Sequence, residues 1–267
     1  MSAACWGAGD FSGGLATKRS SVYSVIIGSQ VVGAVMLIGL ALAFSERMPS
    51  REHMLWGGAA GLAGTAGLIM LYRALASGRM GSAAPVSAVI TAMLPAIFGM
   101  WVEGLPGAPK LIGFGLALIG VWFVSRTEQG STRIDDLRLP VAAGICFGVF
   151  LVIINRVSES AILWPLASAR VASVSALLVF ATVTNQPRRP HLRRLPLIAA
   201  VGGLDALGNA FFALAGQIGR LDVAAVLSSL YPATTVWLAW LILKERITRP
   251  QTVGIVAALA AIVLITA

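Results

Sequence analysis

Asp10, Arg170 and Asp205 each stand inside a long run of apolar residues. A charge surrounded by hydrocarbon is costly unless it is paired, hydrated or used, so each is a candidate for substrate binding, ion coupling or proton transfer. Counting along helices at about 1.5 Å per residue puts Asp10 and Asp205 at similar depths near mid-bilayer. Arg170 falls a few turns closer to the opposite face, and its long side chain can reach inward. The expected site is a central polar cavity. Arg170 would bind an anionic substrate group there, and Asp10 or Asp205 a cation, a proton or a substrate amine. Gln30, Asn209 and Gln217 would add neutral hydrogen bonds. The architectural alternative is that Arg170 pairs with a carboxylate only to hold helices together.

Catalytic chemistry finds little support. The two histidines, His53 and His191, lie between apolar runs, and no HExxH pair or zinc-spaced Cys/His cluster occurs. Gly9-Asp10-Phe11-Ser12-Gly13 is not GxSxG, because Asp10 stands two residues before Ser12. No histidine lies in an apolar run to activate that serine. Cys5 and Cys146 sit in apolar runs and read neither as a disulfide nor as metal ligands. The expectation is a protein that is not an enzyme, with no cofactor, metal or catalytic residue. An intramembrane enzyme is the weaker alternative.

The elements that must position these groups follow from composition. Hydrophobic residues make up 57 % of the 267 residues and charged ones 12 %. A soluble domain carries about 25 % charged residues, so too little charge is present to coat a globule in water. Crossing about 30 Å of hydrocarbon takes about 20 apolar residues in a helix. Ten runs qualify as spans, at residues 2–17, 22–44, 54–76, 80–102, 108–125, 139–155, 162–184, 195–217, 222–243 and 250–266. Backbone amides in lipid must be satisfied within the segment, so each run should be a helix. Trp56, Trp101, Trp122, Trp164 and Trp240 fall near the proposed ends, where amphipathic rings favour the headgroups. Pro85 and Pro95 lie inside the fourth run and Pro232 inside the ninth, where each removes a hydrogen bond and can kink its helix. The first apolar stretch begins almost at Met1, so its helix is short or the true start lies upstream.

Displacing the sequence by 141 residues (146 − 5 = 141) brings its two halves into register without a gap. Cys5-Trp6-Gly7 meets Cys146-Phe147-Gly148, Gly78-Arg79 meets Gly219-Arg220, and Pro109 and Gly113 meet Pro250 and Gly254. Polar breaks match polar breaks. Five spans per half is an odd number, so the second half must enter the membrane in the opposite sense, as in transporters that rock around a central site. The expected fold is therefore all-α: a ten-transmembrane-helix bundle of two inverted five-helix repeats. Residues 1–126 form the first repeat, 127–138 a polar linker and 139–267 the second. The mates of Asp10, Arg170 and Asp205 are Leu151, Ser29 and Gly64, so the charges break the symmetry and point to a specialised role.

Leu227-Ser228-Ser229-Leu230-Tyr231-Pro232, then Leu243-Lys244-Glu245-Arg246-Ile247 with Gln251 and Gly254, resembles the C-terminal motif of EamA-type drug/metabolite transporters. Trp6-Gly7 followed by Asp10-Phe11-Ser12-Gly13-Gly14-Leu15-Ala16 resembles their opening. The resemblance implies a basket-shaped bundle of ten helices. It also implies secondary transport, mostly export, of a metabolite, an amino acid or a drug-like compound. It marks Pro95, Pro232, Glu245 and Arg246 as gating or structural motif residues. Two departures stand in the first half: Pro95 falls one turn later than the mate of Pro232, and Glu103 is followed by Gly104-Leu105-Pro106. Glu245 with its basic neighbours also reads as an interfacial helix cap.

The net charge of +9 comes from basic clusters between apolar runs, which suits loops held at a membrane face better than nucleic acid. The loops after spans one, three, five, seven and nine are the more basic set. The positive-inside rule then puts both termini outside, whereas the resemblance implies both inside. Expected partners are a small-molecule substrate, a coupling proton or counter-substrate, and lipid, with a homodimer allowed. The expected location is the cell (inner) membrane, multi-pass. A passive channel or facilitator would share this composition; saturable, gradient-coupled flux separates the two.

Overall fold

The computed structural model describes residues 1–17, 20–76, 80–125, 137–186, 194–244 and 246–266. Most of these are helical, with no strand among them. The helices are α1 (Ser2–Thr17), α2 (Val22–Ala43), α3 (Arg51–Ala76), α4 (Met80–Glu103), α5 (Ala108–Ser125) and α6 (Arg138–Val157). They continue as α7 (Leu163–Val183), α8 (Leu195–Ile218), α9 (Leu221–Ser228), α10 (Tyr231–Leu243) and α11 (Arg249–Thr266). Among the described residues, eight segments are long and apolar enough to cross a membrane, Leu221–Leu243 counted as one, and Ala108–Val124 is a shorter apolar helix. The protein is a multi-pass membrane protein. Residues 126–136, most of the expected linker, lie outside the described residues, as does Glu245.

The ninth run corrects the expectation of one kinked helix. It is two helices, parted at Ser229-Leu230. Pro232 does not kink a helix interior. It lies in the first turn of α10, where its missing N–H would have had no partner anyway. Pro95, by contrast, is fully buried within the continuous α4. The third run starts earlier than expected, at Arg51, because the Ser50 hydroxyl accepts the His53 N–H at 3.2 Å and so caps the helix start.

Contacts divide the chain into two compact units, each drawn from both halves of the sequence. The first holds Met1–Thr65 and Ile153–Leu214. Within it α2 packs along α7. Both helices end the same way: Ser45 and Asn185 take the left-handed conformation, and the next N–H returns to a carbonyl in the last turn (Glu46 to Ala41, Gln186 to Ala181). Small residues set the crossings. A Cβ on Gly61 would land on the Ala169 carbonyl, and one on Gly202 on the Ser29 carbonyl. Such close approach suits helices that associate in lipid through packing of small faces.

The Glu46 carboxylate lies beyond the end of α2 and caps α7. It accepts the N–H groups of Ile162 (2.8 Å), Leu163 (3.0 Å) and Trp164 (3.0 Å), and its carbonyl accepts the Trp164 indole N–H. These are donors that a helix start leaves unpaired, and the positive end of the helix dipole favours the anion. Glu46→Ala should lower stability by about 2 kcal/mol, read by denaturant unfolding in detergent. An unchanged midpoint would contradict the cap.

The second unit holds Ala66–Val152 and Ala215–Ala267. In it α5 packs on α11 and α4 on α9. Helix α11 buries Gly254, Ala258, Ala261 and Ile265 and exposes Val253, Val256, Leu259 and Val263. Apart from Ile265 at its end, the helix puts small residues inside and large apolar ones outside, the arrangement that lipid selects. Gly113 abuts Ala261, and Gly254 abuts Gly120.

Candidate functional site

The first unit gathers its intramembrane polar groups around Arg170. The guanidinium Nη1 donates to the Gln30 side-chain oxygen Oε1 at 2.5 Å, joining α7 to α2. Its Nη2 lies 2.7 Å from Asp205 Oδ2, joining α7 to α8. That contact is an ion pair without hydrogen-bond alignment, since Nη2 is buried with no hydrogen-bond partner. Glycine makes the room: a Cβ on Gly33 would lie 3.6 Å from Arg170 Nε.

Asp205 is held from its other side by Asn209, one turn along α8. The Asn209 amide donates to the Asp205 carbonyl at 2.7 Å and to Oδ1 at 3.2 Å. Helix α1 reaches the same level, because a Cβ on Gly9 would lie 3.6 Å from Leu204 Cβ and 3.8 Å from the Asp205 nitrogen. The adjoining Asp10 keeps open surface, close enough to Asp205 that the two like charges repel. One turn before it, Trp6 stacks on Phe212 with centroids 5.9 Å apart. A Cβ on Gly208 would strike that indole.

Asp10, Gln30, Arg170, Asp205 and Asn209 are thus assembled in one unit by α1, α2, α7 and α8. Gln217 is exposed near the end of α8. Arg246 is exposed in the loop before α11, and Lys244 ends α10 in the left-handed conformation. No group of three or more His, Cys, Asp or Glu among the described residues could hold a metal.

A second charged cluster, in the second unit, escaped the sequence reading. Asp222 is completely buried at the start of α9 and pairs with Arg220 at 2.7 Å. Arg220 also approaches Glu103 at 3.7 Å and donates to the carbonyls of Glu103 and Gly104. Glu103 in turn accepts the Leu221 N–H at 3.0 Å. The hydrogen bond to Asp222 pushes the Arg220 pKa up, so this cation stays charged at any physiological pH. The cluster ties the end of α4 to the start of α9. The available signal was an acid in the first turn of a helix directly after an arginine.

Residues 139–267 match the model of the EamA-like transporter family. A solved structure titled "Crystal structure of protein" superposes with a TM-score of 0.75, covering 99 % of this chain and 97 % of that one, at 15 % identity. At that identity the likeness shows the fold. No curated protein matches the sequence.

Proposed function

We propose, from the premise that residues 139–267 belong to the EamA-like transporter family, that this chain is a secondary transporter of a small metabolite, amino acid or drug-like compound. It works in the cell membrane by alternating access, in the export direction. The observation that carries this reading is the Arg170–Asp205 pair with Gln30, Asn209 and Asp10 gathered within one unit. Such costly intramembrane groups mark substrate and ion pathways.

On this reading the scaffold is ten spans in two inverted repeats, 1–126 and 139–267, joined by 127–138. Contacts between repeat mates support it. Gly254 and Ala261 follow Gly113 and Gly120 by 141 residues each (254 − 113 = 261 − 120 = 141), and Gly113 meets Ala261 as Gly254 meets Gly120. Gly61 and Gly202 share that spacing (202 − 61 = 141) and each abuts a backbone carbonyl across its crossing. Two modules related in this way can exchange conformations around a fixed site.

The test is flux. Amino acids, amines and organic acids are screened for thermal stabilisation of the purified protein, since a ligand of the folded state raises its apparent stability. Stabilising compounds are then followed in proteoliposomes. Saturable flux driven by an ion gradient or by counter-substrate is expected; flux that rises linearly with concentration and ignores every gradient identifies a passive pore instead.

A further inference from the structure

The charges around Arg170 are not equally open to a ligand. The Arg170 side chain is 8 % exposed, against 39 % for Asp205, and Asp10 is exposed. The guanidinium is enclosed by Gln30 and Gly33 of α2 and by Asp205 of α8. A ligand carboxylate would have to displace Asp205 to touch it. Asp205 keeps open surface while Arg170 and Asn209 hold its two oxygens. Among the described residues, Asp10 makes no hydrogen bond and no ion pair. One cation faces two carboxylates, and it is the cation that is walled off.

A site of this kind attracts positive charge, since Coulomb attraction strengthens as water is excluded. The half-buried Trp6 ring stands one turn from Asp10 on α1 and is braced by Phe212. Indole faces are favourable neighbours for alkylammonium groups. We propose that the site selects a ligand bearing an ammonium group, held by the Asp10 and Asp205 carboxylates with Trp6 beside it, while Arg170 positions Asp205 and stays out of the ligand's reach. This rests on the transporter reading above and adds the substrate's charge class to it.

Equilibrium binding to the full chain in lipid nanodiscs tests this, with benzyltrimethylammonium as probe and benzenesulfonate, benzyl alcohol and sodium as comparators. The ammonium probe should bind saturably and the sulfonate should not. Asp10→Asn, at an exposed residue whose loss threatens no packing, should weaken the probe by about tenfold, as expected for one lost ion pair. Trp6→Leu should weaken it severalfold. Arg170→Gln should tighten it, because the site then carries one more net negative charge; a role confined to holding helices together would move no affinity in that direction. Saturable sulfonate binding that disappears in Arg170→Gln would overturn the proposal. So would sodium binding without ammonium binding, or an Asp10→Asn protein that binds the probe like the parent. Each of those results leaves gradient-driven flux untouched as evidence for transport. Conversely, a bound ammonium with no flux under any gradient removes the transporter reading and not the charge selectivity.

Discussion

Asp205→Asn should reduce transport in proteoliposomes to background while the protein still inserts and folds. The substitution keeps the size of the side chain and an oxygen for Asn209 to meet, but it removes the counter-charge 2.7 Å from Arg170. Stripping a fully buried ion pair of one partner costs about 3–5 kcal/mol. Asp205 is 39 % exposed, which weakens the pair, but the charge left behind is Arg170, 8 % exposed and still bonded to Gln30, so the expected loss of stability is about 2–3 kcal/mol. The loss of function should be far larger, because the site loses one of its two carboxylates and keeps an unbalanced guanidinium behind it. Uptake at the parent's rate, with the parent's pH dependence, would reduce the pair to a strut between α7 and α8.

Gly61→Val should prevent a stable first unit from forming. Glycine is needed there for closeness. The Ala169 carbonyl occupies the place of a Cβ, and a Cβ on Gly57, one turn earlier, would lie 2.6 Å from the Pro165 carbonyl. Backbone on α7 cannot rotate aside as a side chain would, so α3 must back away along its whole contact. Overpacking of this kind costs about 3 kcal/mol or more. Gly39 on α2 is the control. Nothing lies within 4 Å of its would-be Cβ, so Gly39→Ala should be neutral or gain up to about 1 kcal/mol from helix propensity. Unfolding in mixed detergent compares the two. Equal midpoints for both variants would show that the α3–α7 crossing is looser than described.

Much of this architecture is readable along the chain because membrane helices are written locally. Residues 22–44 form a helix at Val22–Ala43 and residues 195–217 one at Leu195–Ile218, since a segment in lipid must satisfy its own amides wherever its neighbours are. The break at Ser229-Leu230 was hidden for the same reason: both sides are apolar, and hydropathy does not register where the hydrogen-bond ladder stops. Glu46 reads as one more interfacial acid until α7 arrives to be capped. Asp222 reads as the acid that opens the ninth run until α4 covers it at Gly99.

The order of apolar and polar residues was enough to establish a membrane chain and its helical runs, and to single out Asp10, Arg170 and Asp205 as candidates, because the cost of charge in hydrocarbon depends on residue type and depth alone. Which of those groups meet, and which stay open, depends on the directions side chains take from two helix pairs, α1–α2 and α7–α8, that are far apart in sequence. Gln30 and Arg170 are 140 residues apart, and no local rule turns one toward the other. Packing at Gly33 and Gly202 does so, and it also encloses the guanidinium while leaving Asp10 open.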